Sequence, residues 1–178
     1  MQINSRHAFL IRLSLAAMMA ALSIVLCRLL GFSPGDSMVR IEIGFLPVAL
    51  IGALFGPLWG ALTYGVADLV GSLVTTGMNP LILVCKILTG FLFGFLPKRR
   101  HGAILPTVLV MLTVGVVIDV LLMSGVFTVY GYAPTYFSAM LTRLANAGVN
   151  LPIRILLYLL TVSAAEPAIK RLERSLLK

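Results

Sequence analysis

Several ionisable side chains fall inside or at the ends of long apolar stretches: Arg28, Arg40, Glu42, Asp68, Lys86, Asp119, Arg143 and Arg154. A charge at mid-membrane depth costs roughly 3 kcal/mol on insertion scales unless it faces protein, water or a ligand, so each is a functional candidate by default. Arg40, Lys86 and Arg143 lie toward one side of those stretches. Three converging cations would make an anion site. Asp68 would either pair with one of them, Lys86 for example, or accept hydrogen bonds from a ligand's polar ring. Asp119 and Arg154 have matching depths and suggest a buried pair between the last two helices. Arg28 is placed to snorkel toward the interface.

Asn146 and Asn150 follow Arg143 at helical spacing and form one polar stripe, which in a membrane helix faces protein or ligand rather than lipid. Tyr130, Tyr132 and Tyr136 flank the preceding loop. They fit either an interfacial aromatic belt or a lid stacking on an aromatic ligand.

The elements that must position these residues follow from composition. Of 178 residues, 60% are hydrophobic and 11% charged, and the mean hydropathy is +1.05. Soluble domains carry roughly 25% charged residues, so a soluble globule is excluded. A slab of about 30 Å needs about 20 apolar helical residues per crossing, which leaves no room for a soluble catalytic domain. Turn clusters at Ser33–Ser37, Gly56-Pro57, Thr75–Pro80, Pro97–His101 and Gly131–Pro134 divide the chain into helices expected at 8–32, 43–55, 58–74, 81–96, 104–130 and 138–165, followed by a basic tail at 166–178. The expected fold is therefore an all-α integral membrane protein, a single six-helix transmembrane bundle. A cleaved signal peptide is disfavoured because the first stretch is long and more spans follow.

Six spans place both termini, the Gly56-Pro57 turn and the knot at 98–101 on one side. Arg6, Lys98, Arg99, Arg100, Lys170, Arg171, Arg174 and Lys178 all fall there, and the turns at 33–39, 75–79 and 131–137 contain no Lys or Arg. The positive-inside rule makes that side cytoplasmic. The formal charge of +8 is thus mainly a topology signal, and nucleic acid is not an expected partner, since the arginine clusters lack interleaved aromatics.

Cys27 and Cys85 lie in apolar segments without metal-site or disulfide spacing. There is no Walker A sequence, no His-Glu-x-x-His and no Gly-x-Ser-x-Gly, so neither an ATPase nor a protease is supported and no enzyme activity, metal or cofactor is expected. Uphill transport would need an ion gradient or an energising partner. Small residues four apart mark close-packing faces at Ala67/Gly71, Gly90/Gly94 and, on the first helix, Ala16/Ala20 and Ala17/Ala21. The four-alanine face begins near the cytoplasmic end, where a partner membrane protein could dock.

The runs Ala16–Ala21, Val39–Pro47, Leu54–Gly60 and Val66–Gly71, with Tyr130-Gly131 and Arg143 followed by Pro152-Ile153, resemble the substrate-binding S components of energy-coupling factor (ECF) vitamin transporters, and most of all the folate type. That resemblance implies a vitamin pocket near the outer face, a lid between the first two helices, and docking of Ala16, Ala17, Ala20 and Ala21 on a transmembrane T component. The T component would associate with two cytoplasmic ABC ATPases, which would use the ATP that this chain does not. Folate, with its glutamate carboxylates and aromatic pterin, would suit Arg40, Lys86 and Arg143 for charge, Asp68 for the pterin's donor edge and Tyr130 for stacking, and with the stripe residues Asn146 and Asn150 these make up the expected substrate site. The chain departs from that type at Leu81-Ile82-Leu83, at Lys86 and Asn146, and in having Trp59 as its only tryptophan. These changes rebuild part of the pocket wall. An S component for another micronutrient, a gradient-driven carrier using Asp119, and a membrane structural or assembly protein whose charges merely tie helices are the competing readings.

Overall fold

A computed structural model describes residues 5–29, 43–75, 78–98 and 104–176. Those residues form six helices and no strand: α1 (Ser5–Leu29), α2 (Phe45–Phe55), α3 (Pro57–Thr75), α4 (Pro80–Phe93), α5 (Ile104–Val129) and α6 (Tyr136–Leu176). The six expected helices are all present with shifted ends. α4 stops at Phe93 because Gly94, Phe95 and Leu96 each donate three residues back, tightening the last turn ahead of Pro97. α6 continues through the expected tail region to Leu176 despite Pro152 and Pro167. Proline inside a helix removes one ladder bond, a loss that membrane helices tolerate when local groups adjust.

Among the described residues, three segments are long and apolar enough to cross a bilayer: Arg6–Cys27, Ile104–Val129 and Tyr136–Pro167. The 11 residues of α2 and the 14 of α4 extend only about 17 Å and 21 Å at 1.5 Å per residue. α2 is instead a core helix, apolar all round, with Phe45, Val48, Ala49, Ile51 and Ala53 buried. Large apolar side chains such as Met18, Leu58, Val74 and Leu105 point outward. In water such a surface would aggregate; in lipid it is the proper exterior of a membrane protein.

The α2–α3 turn explains how short helices fit. Gly56 adopts φ 100°, a left-handed value that side chains rarely allow, and Pro57 opens α3 where its missing N–H costs nothing. The chain folds back there, so Gly52 and Gly60 face each other across the turn rather than sharing one helix face. A Cβ on Gly60 would lie 2.2 Å from the Gly90 carbonyl oxygen and 3.1 Å from the Gly52 Cα, and one on Gly94 would lie 2.2 Å from the Pro57 Cα. Backbones of α2, α3 and α4 therefore touch directly. Around this junction, Phe45, Tyr64, Phe93, Met111, Val114 and Tyr158 pack into a core shared by α2 through α6. Tyr158 is fully buried, and its hydroxyl donates to the Pro97 carbonyl at 2.9 Å, pinning α6 to the end of α4.

Candidate ligand-binding site

α5 is not uniform. Val114–Leu122 winds as a π-helix, whose extra residue per turn rotates the downstream face relative to an α-helix. This segment is dominated by β-branched residues, which crowd the preceding turn of an α-helix. Gly115 lets α6 approach, because a Cβ there would meet Leu151 Cδ1 at 3.0 Å. At the centre of the wide turns sits Asp119, whose Oδ2 accepts from Arg154 Nη1 on α6 at 2.5 Å. The pair expected from depth is thus present. Just beyond, the Ser124 hydroxyl bonds back to the Val120 carbonyl, satisfying a buried polar group within α5.

A partly open cavity of about 270 Å3 lies between α4, α5 and α6, near the lower bound of roughly 300 Å3 for small-molecule sites. α4 contributes Ile82 and Lys86, α5 contributes Asp119, Met123 and Phe127, and α6 contributes Arg143, Asn146, Ala147, Asn150 and Arg154. Both contributing stripes are helical in spacing: 119, 123 and 127 on one side, 143, 147, 150 and 154 on the other. Met123 also packs with Cys85, Ile118 and Val126 into an apolar cluster.

Three cations and one carboxylate line this space. Arg143 stacks over the Phe127 ring at 3.9 Å from its centroid, and its Nη1 reaches the Asp119 carbonyl oxygen at 3.4 Å. Both contacts fix a planar guanidinium that suits bidentate carboxylate recognition. Lys86 Nζ donates to the Tyr64 hydroxyl of α3 at 3.3 Å. Arg154 lies 5.8 Å from the Phe45 ring centroid. Asn150 Nδ2 donates to Asn146 Oδ1 at 2.5 Å, joining the two amides into one stripe. The aromatic wall continues outward from Phe127 to Tyr132, at 5.4 Å between centroids, and on to Tyr130 at 6.0 Å. Asn79 at the start of α4 donates to the Tyr132 hydroxyl at 3.5 Å, which ties the α5–α6 loop to the start of α4.

Of the site residues expected from sequence, Lys86, Arg143, Asn146 and Asn150 line the cavity together. Tyr130 is exposed and stands two rings away from Phe127. Asp68 is half-buried on α3, one turn beyond Tyr64, and does not belong to the lining. Arg40, with Glu42 and the expected lid between the first two helices, lies outside the described residues, as does the side chain of Arg28. Phe127 and Met123 went unnoticed in the sequence; their signal is the four-residue repeat that begins at Asp119. Asp119 and Arg154 were legible as a pair but not as lining. On α1, Ala16 and Ala20 are buried within the bundle, whereas Ala17 and Ala21 are exposed.

Residues 12–165 match the family of the ECF transporter substrate-specific component. The chain belongs to that family. The family is that of substrate-binding components of membrane transporters. A solved structure described as FolT bound with folic acid has the same fold: the TM-score is 0.70 at 26% identity, covering 82% of this chain and 89% of that one. Among curated proteins, the macrolide export ATP-binding/permease protein MacB of Brucella abortus and that of Brucella melitensis are each 33% identical over 75 residues. This S component spans only 12% of their length.

Proposed function

We propose that this S component captures folate or a closely related anionic vitamin in the α4–α5–α6 cavity at the outer face of the cell membrane. A T component and two cytoplasmic ABC ATPases would then drive its delivery inward. The observation that carries this reading is the convergence of Lys86, Arg143 and Arg154 on one cavity whose fourth charged member is Asp119. Formal charges of the lining residues leave an excess of two positive charges, opposite in sign to the glutamate carboxylates of folate. The Phe127, Tyr132 and Tyr130 rings supply faces for an aromatic ligand at the mouth. The cavity is lined by Ile82 near the start of α4, Phe127 near the end of α5 and Arg143 near the start of α6, the helix ends that the positive-inside reading assigns to the outer face, which supports an outward-facing site with both termini cytoplasmic. Ala17 and Ala21 remain accessible on α1 for the T component, with Ala16 and Ala20 supporting them from within the bundle. No cofactor is assigned to this chain.

The alternative of a helix-tying structural protein accounts for the Asp119–Arg154 pair, but a partly open cavity lined by three cations favours ligand capture over packing alone. Purified protein tested by mass spectrometry for co-purifying ligand, and by thermal shift against a vitamin panel, separates these readings. Stabilisation by folic acid is expected. A protein that retains nothing and responds to no vitamin refutes ligand capture, and selective stabilisation by a different vitamin reassigns the substrate.

A further inference from the structure

On α1, Arg12 shares a helical stripe with the buried Ala16 and Ala20 rather than with the exposed Ala17 and Ala21. Its guanidinium lies over the Phe55 ring at 5.8 Å from the centroid. Phe55 closes α2, and its ring meets that of Trp59, near the start of α3, edge-on at 6.2 Å; the Trp59 ring in turn meets Phe9 of α1 at 5.6 Å. The chain reverses at Gly56 between α2 and α3, so these three rings and the guanidinium stand at the end of the bundle that holds the α2–α3 turn and the start of α1. Helical side chains lean toward the N-terminus, which aims Arg12 at that same end. Arg12 is half-buried, its Nε is enclosed without a hydrogen-bond partner, and among the described residues no carboxylate pairs with it. A permanent cation set in an apolar wall calls for an anion from outside the chain.

We infer that Arg12, with Phe55, Trp59 and Phe9 beside it, receives the phosphate of an anionic phospholipid headgroup at the membrane surface that carries the α2–α3 turn, the cytoplasmic one in the topology proposed above. The neighbouring surface favours a lipid over a soluble anion, because Phe9 and Leu13 on α1 and Leu58 and Leu62 on α3 are exposed and give acyl chains a face to lie on. Tryptophan and arginine both suit headgroup depth, the first by its amphipathic ring and the second by a charged head on an apolar stem. The planar guanidinium matches two phosphate oxygens, and its seat over Phe55 holds it in orientation. Basic groups between membrane helices on the cytoplasmic side are where anionic headgroups gather. None of the residues lining the α4–α5–α6 cavity belongs to α1, α2 or α3, so this site is separate from it and stands or falls independently of the folate reading.

The test reconstitutes the full chain in vesicles of equal parts phosphatidylcholine and phosphatidylglycerol, extracts it in a mild nonionic detergent, and quantifies the retained lipid by native mass spectrometry. Wild-type protein should retain phosphatidylglycerol over phosphatidylcholine by about fivefold or more, the scale of one basic side chain at an anionic surface. Arg12→Gln should abolish that enrichment. Arg6→Gln removes an exposed cation near the start of the same helix and should leave most of it. Arg12→Lys keeps the charge without the planar fork and should lose about half or more of the enrichment; it carries the test if Arg12→Gln is not monodisperse. Equal retention of the two lipids by wild type overturns the proposal and leaves Arg12 to a carboxylate of a membrane partner. Full enrichment in the Arg12 variants, or equal losses in Arg6→Gln and Arg12→Gln, overturns it in favour of a diffuse basic surface. In vesicles of phosphatidylcholine alone, added inorganic phosphate should not raise the Tm; a rise as large as phosphatidylglycerol produces would assign the site to free phosphate and overturn the lipid.

Discussion

Placing a methyl group on Gly90 tests whether the site depends on backbone contact between α3 and α4. In Gly90→Ala the new Cβ would lie 2.3 Å from the Gly60 carbonyl oxygen, 2.8 Å from the Gly60 carbonyl carbon and 2.9 Å from Tyr64 Cβ. Non-bonded heavy atoms settle at roughly 3.5 Å, so the shortfall is about 1 Å. None of these atoms can swing away as the tip of a side chain could. The helices must separate, and overpacking of this kind costs about 1–3 kcal/mol, here at the upper end. By the scaling for soluble domains of this size, a loss of about 3 kcal/mol corresponds to roughly 6–12 °C in Tm.

The same displacement reaches the cavity. Lys86 precedes Gly90 by one turn, and Tyr64 follows Gly60 by one turn, so opening the helices by about 1 Å pulls the 3.3 Å Lys86–Tyr64 contact apart. Folic acid affinity should then fall by about tenfold, the equivalent of about 1.4 kcal/mol. The control is Gly148→Ala on α6, where an added Cβ meets nothing within 4 Å and helix propensity favours alanine. Thermal unfolding in detergent and calorimetric titration read both effects. A Gly90→Ala protein that melts with the Gly148→Ala control and binds folic acid as wild type does would refute the argument.

Arg143→Ala should reduce folic acid affinity by about a hundredfold or more while leaving expression intact, since it removes both the guanidinium and its stacking on Phe127; calorimetry showing unchanged affinity would move the site elsewhere. Tyr158→Phe deletes the hydroxyl that donates to the Pro97 carbonyl and should lower stability by about 1–3 kcal/mol, read by thermal unfolding, with ligand affinity unaffected. Ala17→Trp should spare binding yet block uptake in proteoliposomes containing the T component and ATPases. Ala20→Trp is unsuitable for that purpose because Ala20 is buried, and bulk there would disturb α1 itself.

Hydrophobic runs and turn chemistry made the six helices legible, because an apolar stretch bounded by Gly, Pro and Asn has few alternatives in a membrane. The polar stripe on α6 was legible for the same reason: Arg143, Asn146 and Asn150 at helical spacing cannot all face lipid. Asp68 shows where this reasoning stops. Like Lys86 it is an ionisable residue set in an apolar helix, yet it lies on α3 and does not line the cavity between α4, α5 and α6. Glycine spacing was legible once the turn is counted: Gly52, Gly56 and Gly60 share a four-residue period, but Gly56-Pro57 breaks the register, and the structure has them on two helices folded back at Gly56.

The sequence by itself determined a membrane-embedded helical protein and the buried charges that demand a purpose. These follow from short-range patterning and from the cost of polar groups in hydrocarbon, which act residue by residue. Only the tertiary structure decided which charges meet. The π-helical segment of α5 carries Asp119 to Arg154 and Arg143, and contact between the α3 and α4 backbones brings Lys86 to Tyr64. Those meetings depend on helix rotation and on the distance between helices, which long-range packing sets.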